Sequence, residues 1–124
     1  MAKFNLALIK VLSHEGGYAN DPDDLGGETY KGIARNSHGT WLGWTLIDRF
    51  KSKPDFPRSL DTNPQLQSLV ELFYFDNFWT PLNAEKIQNQ TSADSVFDFA
   101  VNSGLATSVR LVQSIVGTKR DGII

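Results

Sequence analysis

The sequence of 124 residues contains no cysteine and only two histidines. Without cysteine the chain can form neither disulfide bonds nor thiolate metal sites, so its stability must come from packing. His14 and His38 are too few and too scattered for a metal site or a nucleophile–histidine triad. These absences exclude disulfide-stabilised folds and argue against a metal centre.

A positive net charge and long apolar runs are also lacking. The formal net charge is −2, which gives no general attraction to nucleic acid or to an anionic membrane. No stretch approaches the roughly 20 apolar residues of a membrane span, and the run at residues 4–10 is too short and too interrupted for a signal peptide. We expect a protein made in the cytoplasm without a signal peptide, with no nucleic-acid partner and no stable membrane insertion.

Length and composition indicate one folded domain over residues 1–124. Hydrophobic residues make up 40% of the chain and charged residues 21%. These fractions are close to those of soluble globular proteins and far from those of disordered segments. A chain of this size can bury one core but not two.

Two helices are predicted in the first half of the chain. Apolar residues at helical spacing predict an amphipathic helix over residues 3–15. Gly16 and Gly17 are expected to end it in the left-handed conformation that often closes a helix. A second apolar pattern predicts a helix that begins near Thr40 and ends before Pro54.

Further helices are predicted in the second half. One begins at Pro64 and runs to about Trp79, and its cap is one of three preceding polar residues, Asp61, Thr62 or Asn63. The last begins after a cap at Ser92, breaks at residues 102–104 and continues at helical spacing to Gly117. The predicted fold class is therefore mainly α.

The segment between residues 18 and 33 loses the helical period and gains turn residues. A small β-hairpin or loop after the first helix is the simplest interpretation. Five of the fourteen acidic residues lie between positions 15 and 28, where there is no lysine or arginine, so the local field is expected to be negative. These five are Glu15, Asp21, Asp23, Asp24 and Glu28. We expect Asp23 and Glu28 to be solvated turn residues.

Glu15 is the candidate catalytic acid. It lies at the carboxyl end of the first predicted helix, beside the negative pole of the helix dipole, where a charged carboxylate is disfavoured. A carboxyl group that keeps its proton near neutral pH can act as a general acid. By spacing alone, however, an ordinary solvated glutamate at the end of a surface helix explains this residue better.

Glycoside cleavage often uses a second carboxylate. Asp24 and Asp21 are the nearest candidates in sequence, and a solvated turn is the alternative for both. Thr29 could hold a water molecule near Glu15 if a hairpin folds it back. A threonine in a strand is, however, more often there for its β propensity.

Other polar and aromatic residues are candidate sugar contacts. Asp98 lies on an otherwise apolar helix, with Asn102 one turn later, so its carboxylate is expected either to hydrogen-bond to a loop or to contact substrate. Aromatic rings suit sugar stacking, although most aromatic residues at helical spacing belong to the core. The predicted substrate-binding residues are Tyr18, Asn20, Tyr30, Tyr74, Asp98 and Asn102.

The order of several motifs resembles a known family. Residues 14–18, 20–24, 26–29 and 31–33 read His-Glu-Gly-Gly-Tyr, Asn-Asp-Pro-Asp-Asp, Gly-Gly-Glu-Thr and Lys-Gly-Ile. The match continues at Tyr74, at Phe78-Trp79, at residues 97–104 and at Leu111-Val112-Gln113. On these motifs the chain closely resembles glycoside hydrolase family 108, the lysozyme-like N-acetylmuramidases of phage lysis cassettes and of bacterial secretion activators.

The resemblance implies a lysozyme-like fold and hydrolysis of the β-1,4 bond between N-acetylmuramic acid and N-acetylglucosamine in peptidoglycan glycan strands. It puts the family's catalytic glutamate at Glu15, and the spacing to Asp24 and Thr29 is similar to the acid, aspartate and threonine of phage-type lysozymes. No cofactor is implied. The protein would act in the periplasm or cell wall after release, with a holin-like export partner.

Two departures from the family pattern bear on substrate affinity. The family usually continues past an Asp-Gly-Ile-Ile segment into a region associated with peptidoglycan binding, whereas this chain ends at residues 121–124, so we expect truncation before that region. The chain also lacks the basic charge of many lysozymes. The alternative function is a weak or inactive peptidoglycan-binding or secretion-accessory domain on the same fold. A helix-turn-helix DNA binder around Gly104 is disfavoured, because its second helix offers only Arg110 before Lys119 and Arg120.

Overall fold

The computed structural model describes residues 2–20, 23 and 27–103. This part of the chain is mainly α, with a small antiparallel sheet after the first helix, and has a lysozyme-like architecture, as predicted. Its elements are α1 (Phe4–His14), β1 (Tyr18–Asn20), β2 (Glu28–Tyr30), β3 (Ile33–Ala34), α2 (Gly43–Phe50), α3 (Pro64–Tyr74) and α4 (Gln90–Ser103). Short 3-10 segments cover Arg58–Thr62 and Ala84–Lys86, and a π-helical turn covers Phe75–Trp79. No helix in the described residues is long and apolar enough to cross a membrane.

The described residues form two compact units. Unit 1 consists of residues 2–13 and 74–103, and unit 2 consists of residues 14–73. Unit 1 contains α4 and nearly all of α1, whereas unit 2 contains the sheet, α2 and nearly all of α3. Glu15 therefore belongs to unit 2. The single catalytic domain over residues 1–124 stays a prediction.

The sheet of unit 2 has the strand order β1-β2-β3 and is antiparallel throughout. In its register Tyr18 lies opposite Tyr30. Lys31 and Gly32 connect β2 to β3 with φ values of 46° and 82°, the backbone of a tight hairpin turn that needs positive φ at both positions. The predicted hairpin is thus present, and it carries a third strand of only two residues.

Helix α1 agrees closely with the predicted range of 3–15, but the predicted ending is wrong. Among the described glycines, Gly27 and Gly32 have positive φ, and Gly16 and Gly17 do not. Residues 15–17 connect α1 to β1 in a bend, and neither glycine of this connection is left-handed. The two glycines leave the segment after Glu15 without side chains.

Helix α3 begins at Pro64, as predicted. Of the three candidate caps, Asn63 takes the role, because its Oδ1 accepts a hydrogen bond from the Leu66 backbone N–H at 2.9 Å. The helical path continues through the π-helical turn, in which the Thr80 N–H donates to the Phe75 carbonyl at 2.9 Å. It ends before Pro81, close to the predicted position.

The core of unit 2 collects side chains from the sheet, α2 and α3. Trp44 is 1% exposed, and its Nε1–H donates to the His38 carbonyl at 3.1 Å. Helix α2 begins at Gly43, later than the predicted Thr40. Six further residues of this core are at most 1% exposed: Tyr30, Ile33, Ile47, Leu60, Leu66 and Val70.

Unit 1 contains an aromatic cluster in addition to its buried aliphatic side chains. The ring of Phe4 lies 5.1 Å from that of Phe75, 5.6 Å from that of Trp79 and 5.9 Å from that of Phe97, all in edge-to-face geometry. Such pairs are stabilising beyond the area that they bury. The cluster joins α1, the π-helical turn and α4.

The cap of α4 differs from the prediction. Asn89 Oδ1 accepts a hydrogen bond from the Ser92 N–H at 2.9 Å, so Asn89 and not Ser92 is the capping residue. Asparagine and serine cap about equally well, and the sequence pattern alone does not choose between them. The predicted break at residues 102–104 and the continuation to Gly117 fall largely outside the described residues.

The ring of Trp41 packs against Gly43 at the start of α2, so we expect Gly43→Ala to destabilise the protein. A methyl group at Gly43 would lie 2.3 to 2.5 Å from three carbon atoms of the Trp41 ring, so the ring must move. We expect the free energy of unfolding, measured by urea denaturation, to fall by about 1 to 3 kcal/mol.

Gly16→Ala is the matched control. A methyl group at Gly16 would meet no described atom within 4 Å, and Gly16 has no positive φ. We expect this substitution to be neutral or to stabilise the protein by up to about 1 kcal/mol, because it restricts the unfolded chain. Equal unfolding free energies for the two variants would contradict the packing argument.

Candidate active site

Glu15 directly follows the last residue of α1 and is separated from β1 by two glycines. Its side chain is half-buried. Within the described residues, nothing forms a hydrogen bond or ion pair with its carboxyl group. A partly shielded carboxyl group that is not engaged by neighbouring side chains is available to exchange a proton with a substrate.

Strand β2 carries two of the predicted site residues, Thr29 and Tyr30. Thr29 is half-buried and lies opposite Ala19 on β1 and Ala34 on β3. Successive side chains of a strand point to opposite faces of the sheet, so Thr29 and Tyr30 point away from each other. Tyr30 has no exposed surface. The partly open face of β2 is therefore the one that carries Thr29.

The buried hydroxyl of Tyr30 is the centre of a hydrogen-bonded group. It donates to Asp61 Oδ1 at 2.8 Å and accepts from Gln67 Nε2 at 2.9 Å. Gln67 Nε2 also donates to the Leu60 carbonyl at 2.8 Å. Burial raises the pKa of Tyr30, and the bond to Asp61 raises it further, so the hydroxyl keeps its proton and remains a donor.

Tyr18 lies on β1, and its hydroxyl donates to Glu28 Oε2 at 2.6 Å. Its ring packs edge-to-face on Phe56 with a centroid distance of 4.9 Å. Burial and the bond to Glu28 both raise the pKa of the Tyr18 hydroxyl. Since the hydroxyl is occupied, a contact between Tyr18 and a sugar would have to use the ring.

Glu28 forms ion pairs with two cations. The expectation that Glu28 is a solvated turn residue is therefore wrong. Arg35 Nη1 lies 3.0 Å from Glu28 Oε1, and Lys51 Nζ lies 2.6 Å from Glu28 Oε2. Arg35 also donates to both oxygens of Asp48, at 2.8 and 2.7 Å, and Lys51 lies 3.1 Å from Asp48. The side chain of Glu28 is only 11% exposed. Two basic residues therefore offset part of the negative field expected from the acidic segment.

The charges of this network reinforce one another. Burial alone would raise the pKa of Glu28, but hydrogen bonds from Lys51, Tyr18 and Arg35 outweigh it and lower the pKa. The Arg35 guanidinium holds the pKa of Asp48 well below its usual range. The bond to Glu28 raises the pKa of Lys51. All four charged groups therefore stay ionised at neutral pH and link β2 to the end of α2.

Asn20 and Asp24 were predicted for the same acidic segment. Asn20 ends β1 and is exposed. Asp24 lies outside the described residues, as does Asp21. Within the described residues, no three His, Asp or Glu side chains form a group that could hold a metal ion.

Three predicted substrate-binding residues belong to unit 1. Tyr74 is 1% exposed, and its ring centroid lies 6.0 Å from that of Phe78 and 6.4 Å from that of Phe97. Asp98 is half-buried on α4. Asn102 is exposed, and its Nδ2 donates to the Asp98 carbonyl at 2.9 Å. Their contacts with substrate stay predictions.

The buried acid of α4 is Asp94, which the sequence analysis missed. Asp94 is 7% exposed. Its Oδ2 pairs with Lys10 Nζ at 2.6 Å, and its Oδ1 accepts from Gln90 Nε2 at 2.7 Å. The bond to Gln90 spans one helical turn and is visible as a spacing, whereas the pairing with α1 has no local signal. Both oxygens of Asp94 are therefore engaged within unit 1, one with α1 and one within α4.

A family model decides the relationship of this chain to known proteins. The model described as glycosyl hydrolase 108 matches residues 8–104. The chain belongs to the glycosyl hydrolase 108 family. The matched range contains Glu15 and the whole sheet.

A solved structure agrees with this membership. The structure of SagA from Brucella abortus is similar to the chain with a TM-score of 0.65 and 27% sequence identity. The alignment covers 98% of this chain and 63% of the SagA chain. This family member therefore spans less than two thirds of the length of SagA. No curated protein sequence gives a significant match.

The lowered pKa of Glu28 makes a prediction about stability and pH. A carboxyl group whose pKa is lowered by folding stabilises the fold above its unfolded pKa, and this stability is lost as the pH falls through the folded pKa. We expect Glu28→Gln to reduce the free energy of unfolding at pH 7 by about 1 to 3 kcal/mol. The variant should also lose less stability than the parent from about pH 5 to about pH 3.

Urea denaturation at several pH values measures both effects, and Glu71→Gln is the control. Glu71 is exposed on α3, and we expect its replacement to change stability by less than about 0.5 kcal/mol. Curves of stability against pH that run parallel for the parent and the Glu28 variant would refute the assignment of acid sensitivity to this network.

Proposed function

We propose that the protein hydrolyses the β-1,4 bond between N-acetylmuramic acid and N-acetylglucosamine in peptidoglycan, with Glu15 as the general acid. The observation that carries the proposal is the position of Glu15. It lies within the range matched by the glycosyl hydrolase 108 model, after α1 and ahead of the three-stranded sheet. Glu15 opens the block of motifs up to Ile33, which is the specific part of the family resemblance.

In the proposed reaction Glu15 donates its proton to the glycosidic oxygen. The bond between that oxygen and the anomeric carbon breaks, and the electron pair leaves with the oxygen. The sugar develops oxocarbenium character. Water then adds its hydroxyl group to the anomeric carbon, and its remaining proton restores the Glu15 carboxyl group. A carboxyl group without a described partner suits this role, because its proton must pass to the substrate and not to a neighbouring side chain.

Thr29 and Asp24 are proposed as the other groups of the reaction. Thr29 lies on the partly open face of β2, where its hydroxyl could orient the attacking water. Asp24 is the candidate for a second carboxylate that the sequence suggests. A separation of about 5 Å between two carboxyl groups suits retention, and about 6.5 to 9.5 Å leaves room for a water and suits inversion. The anomeric form of the first product, read by proton NMR, reports which pathway operates.

We further propose that Tyr18 and Asn20 on β1 contact the glycan strand. Asp98 and Asn102 of unit 1, and the buried Tyr74, remain candidates from the sequence alone. The substrate lies in the cell wall, so the protein would act in the periplasm or wall after release through a holin-like export partner. No cofactor enters the proposed reaction, since a carboxyl group and water supply all the atoms that it needs.

The proposal predicts that Glu15→Gln abolishes most of the activity. Glutamine keeps the size of the side chain but has no proton to donate, and general acid catalysis typically contributes about 10²-fold to 10⁴-fold. We expect a loss of rate in that range, measured as new reducing ends released from purified peptidoglycan. Mass spectrometry of the fragments identifies the bond, because a muramidase leaves muramic acid at the reducing end.

Glu71→Gln is the control for this substitution and should keep the parent rate. A Glu15→Gln protein that cleared peptidoglycan as fast as the parent would refute the assignment of the acid. The alternative of an inactive wall-binding domain predicts that the parent cosediments with peptidoglycan and releases no reducing ends. Detection of new muramic-acid reducing ends would eliminate that alternative.

A further inference from the structure

The carboxylate of Asp61 lies beside the chain segment that follows Glu15. An ideal Cβ atom at Gly17 would be 3.8 Å from Asp61 Oδ2 and 3.9 Å from Asp61 Oδ1. Gly17 is two residues after Glu15, so their Cα atoms are at most about 7.6 Å apart. The absence of a side chain at Gly17 thus leaves the Asp61 carboxylate next to the backbone that carries the proposed acid.

A hydrogen bond to one of its two carboxylate oxygens fixes the orientation of the Asp61 side chain. Its Oδ1 accepts the hydrogen bond from the Tyr30 hydroxyl at 2.8 Å, and Tyr30 is fully buried. Gln67 donates to the same hydroxyl and to the Leu60 carbonyl, which holds the tyrosine oxygen from the other side. Groups held in this way need no reorganisation when charge develops nearby.

The second oxygen of Asp61 is not engaged. Within the described residues no donor or cation contacts Oδ2, and the residue is exposed. Asp61 is not needed as the cap of α3, because Asn63 accepts the capping hydrogen bond from Leu66. The structure therefore combines a fixed carboxylate with an oxygen that is free to face a ligand.

Two other acids of unit 2, Glu28 and Asp48, are paired with cations. Glu28 is held by Arg35 and Lys51, and Asp48 is held by the same two cations. An acid that is paired with a cation is a poor stabiliser of a further positive charge, because the cation already offsets its field. Asp61 has no cation within ion-pair distance among the described residues.

We propose that Asp61 is a second carboxylate of the active site and stabilises the positive charge that develops on the sugar when Glu15 protonates the glycosidic oxygen. In this role Asp61 forms no bond to the substrate, so the balance of the reaction is unchanged. This role rests on the proposed function. It differs from the sequence-based assignment, which gave the second carboxylate to Asp24.

Asp61→Asn is the first test of this role. Asparagine keeps the size of the side chain and an oxygen that can accept from Tyr30, but it removes the charge. We expect kcat on purified peptidoglycan to fall at least about 10-fold, with KM within twofold of the parent and Tm within about 2 °C. Asp55→Asn, at an exposed acid of the same loop, should match the parent in all three.

Tyr30→Phe tests the fixed orientation. It removes the donor to Asp61 but leaves the charge, so we expect a smaller loss of kcat than for Asp61→Asn. In the Asp61→Asn background the same substitution should cause no further loss of kcat, because there is no charge left to orient. Additive losses of kcat in the double variant would overturn the coupling between the two residues.

The outcomes separate this role from the proposed function. An active parent, an inactive Glu15→Gln variant and an Asp61→Asn variant within twofold of the parent would overturn the role of Asp61 alone. Loss of activity in Asp24→Asn with full activity in Asp61→Asn would do the same and favour the sequence-based assignment. A parent that releases no reducing ends would overturn the proposed function and this role with it.

Asp61→Glu keeps the test decisive if Asp61→Asn does not fold. Glutamate retains the charge at the same position, so a folded Asp61→Glu protein should retain measurable turnover and exceed Asp61→Ser in kcat. The glutamate variant keeps the charge and the serine variant lacks it. Equal kcat values for the two variants, at matched Tm, would therefore show that the charge does not contribute and would overturn the role.

Discussion

The alternation of side chains along β2 is the constraint on which the rest of unit 2 depends. Residues two apart on a strand share a face, so Glu28 and Tyr30 both point into the packed side, and Thr29 points the other way. Glu28 meets the cations of Arg35 and Lys51 there, and Tyr30 meets Asp61. A shift of one residue in register would expose both and bury Thr29.

The ion-pair network around Glu28 and the hydrogen-bonded group around Tyr30 lie on the same face of β2 but differ in their charges. The network around Glu28 consists of paired charges, which connect β2 to the end of α2 and leave no charge uncompensated. The group around Tyr30 is neutral except for Asp61, and it ends at an exposed carboxylate. The first arrangement stabilises the sheet, and the second extends from the core to the surface beside Gly17.

Local features were predicted well, because their causes lie within a few residues. Pro64 as the first residue of α3 and the helical path up to Pro81 both follow from backbone preferences, and the cap, Asn63, was one of three adjacent candidates. The cap of α4 was misplaced at Ser92, because Asn89 offers an equally good acceptor. The left-handed ending at Gly16 and Gly17 was also wrong, because glycine permits positive φ but does not require it.

Non-local pairings could not be predicted from one sequence. Nothing in the spacing brings Arg35 and Lys51 to Glu28, so that residue was assigned to a solvated turn. Likewise, nothing in the sequence around Asp61 indicates Tyr30, which was expected to contact substrate and is instead fully buried. The motif of the candidate acid is local and can be read from the sequence, whereas the contact between Tyr30 and Asp61 is not local and cannot.

A second carboxylate in a glycosidase must meet two demands that oppose each other. It has to remain ionised next to an acid that holds a proton, and it must not be neutralised by a cation of the protein. A neighbouring cation would keep the carboxylate ionised but would also neutralise its field. A neutral donor satisfies both, since it favours the charged form without cancelling its field. Tyr30 is such a donor, because burial keeps its proton in place, and its hydrogen bond fixes one oxygen of the Asp61 carboxylate beside the segment that carries Glu15.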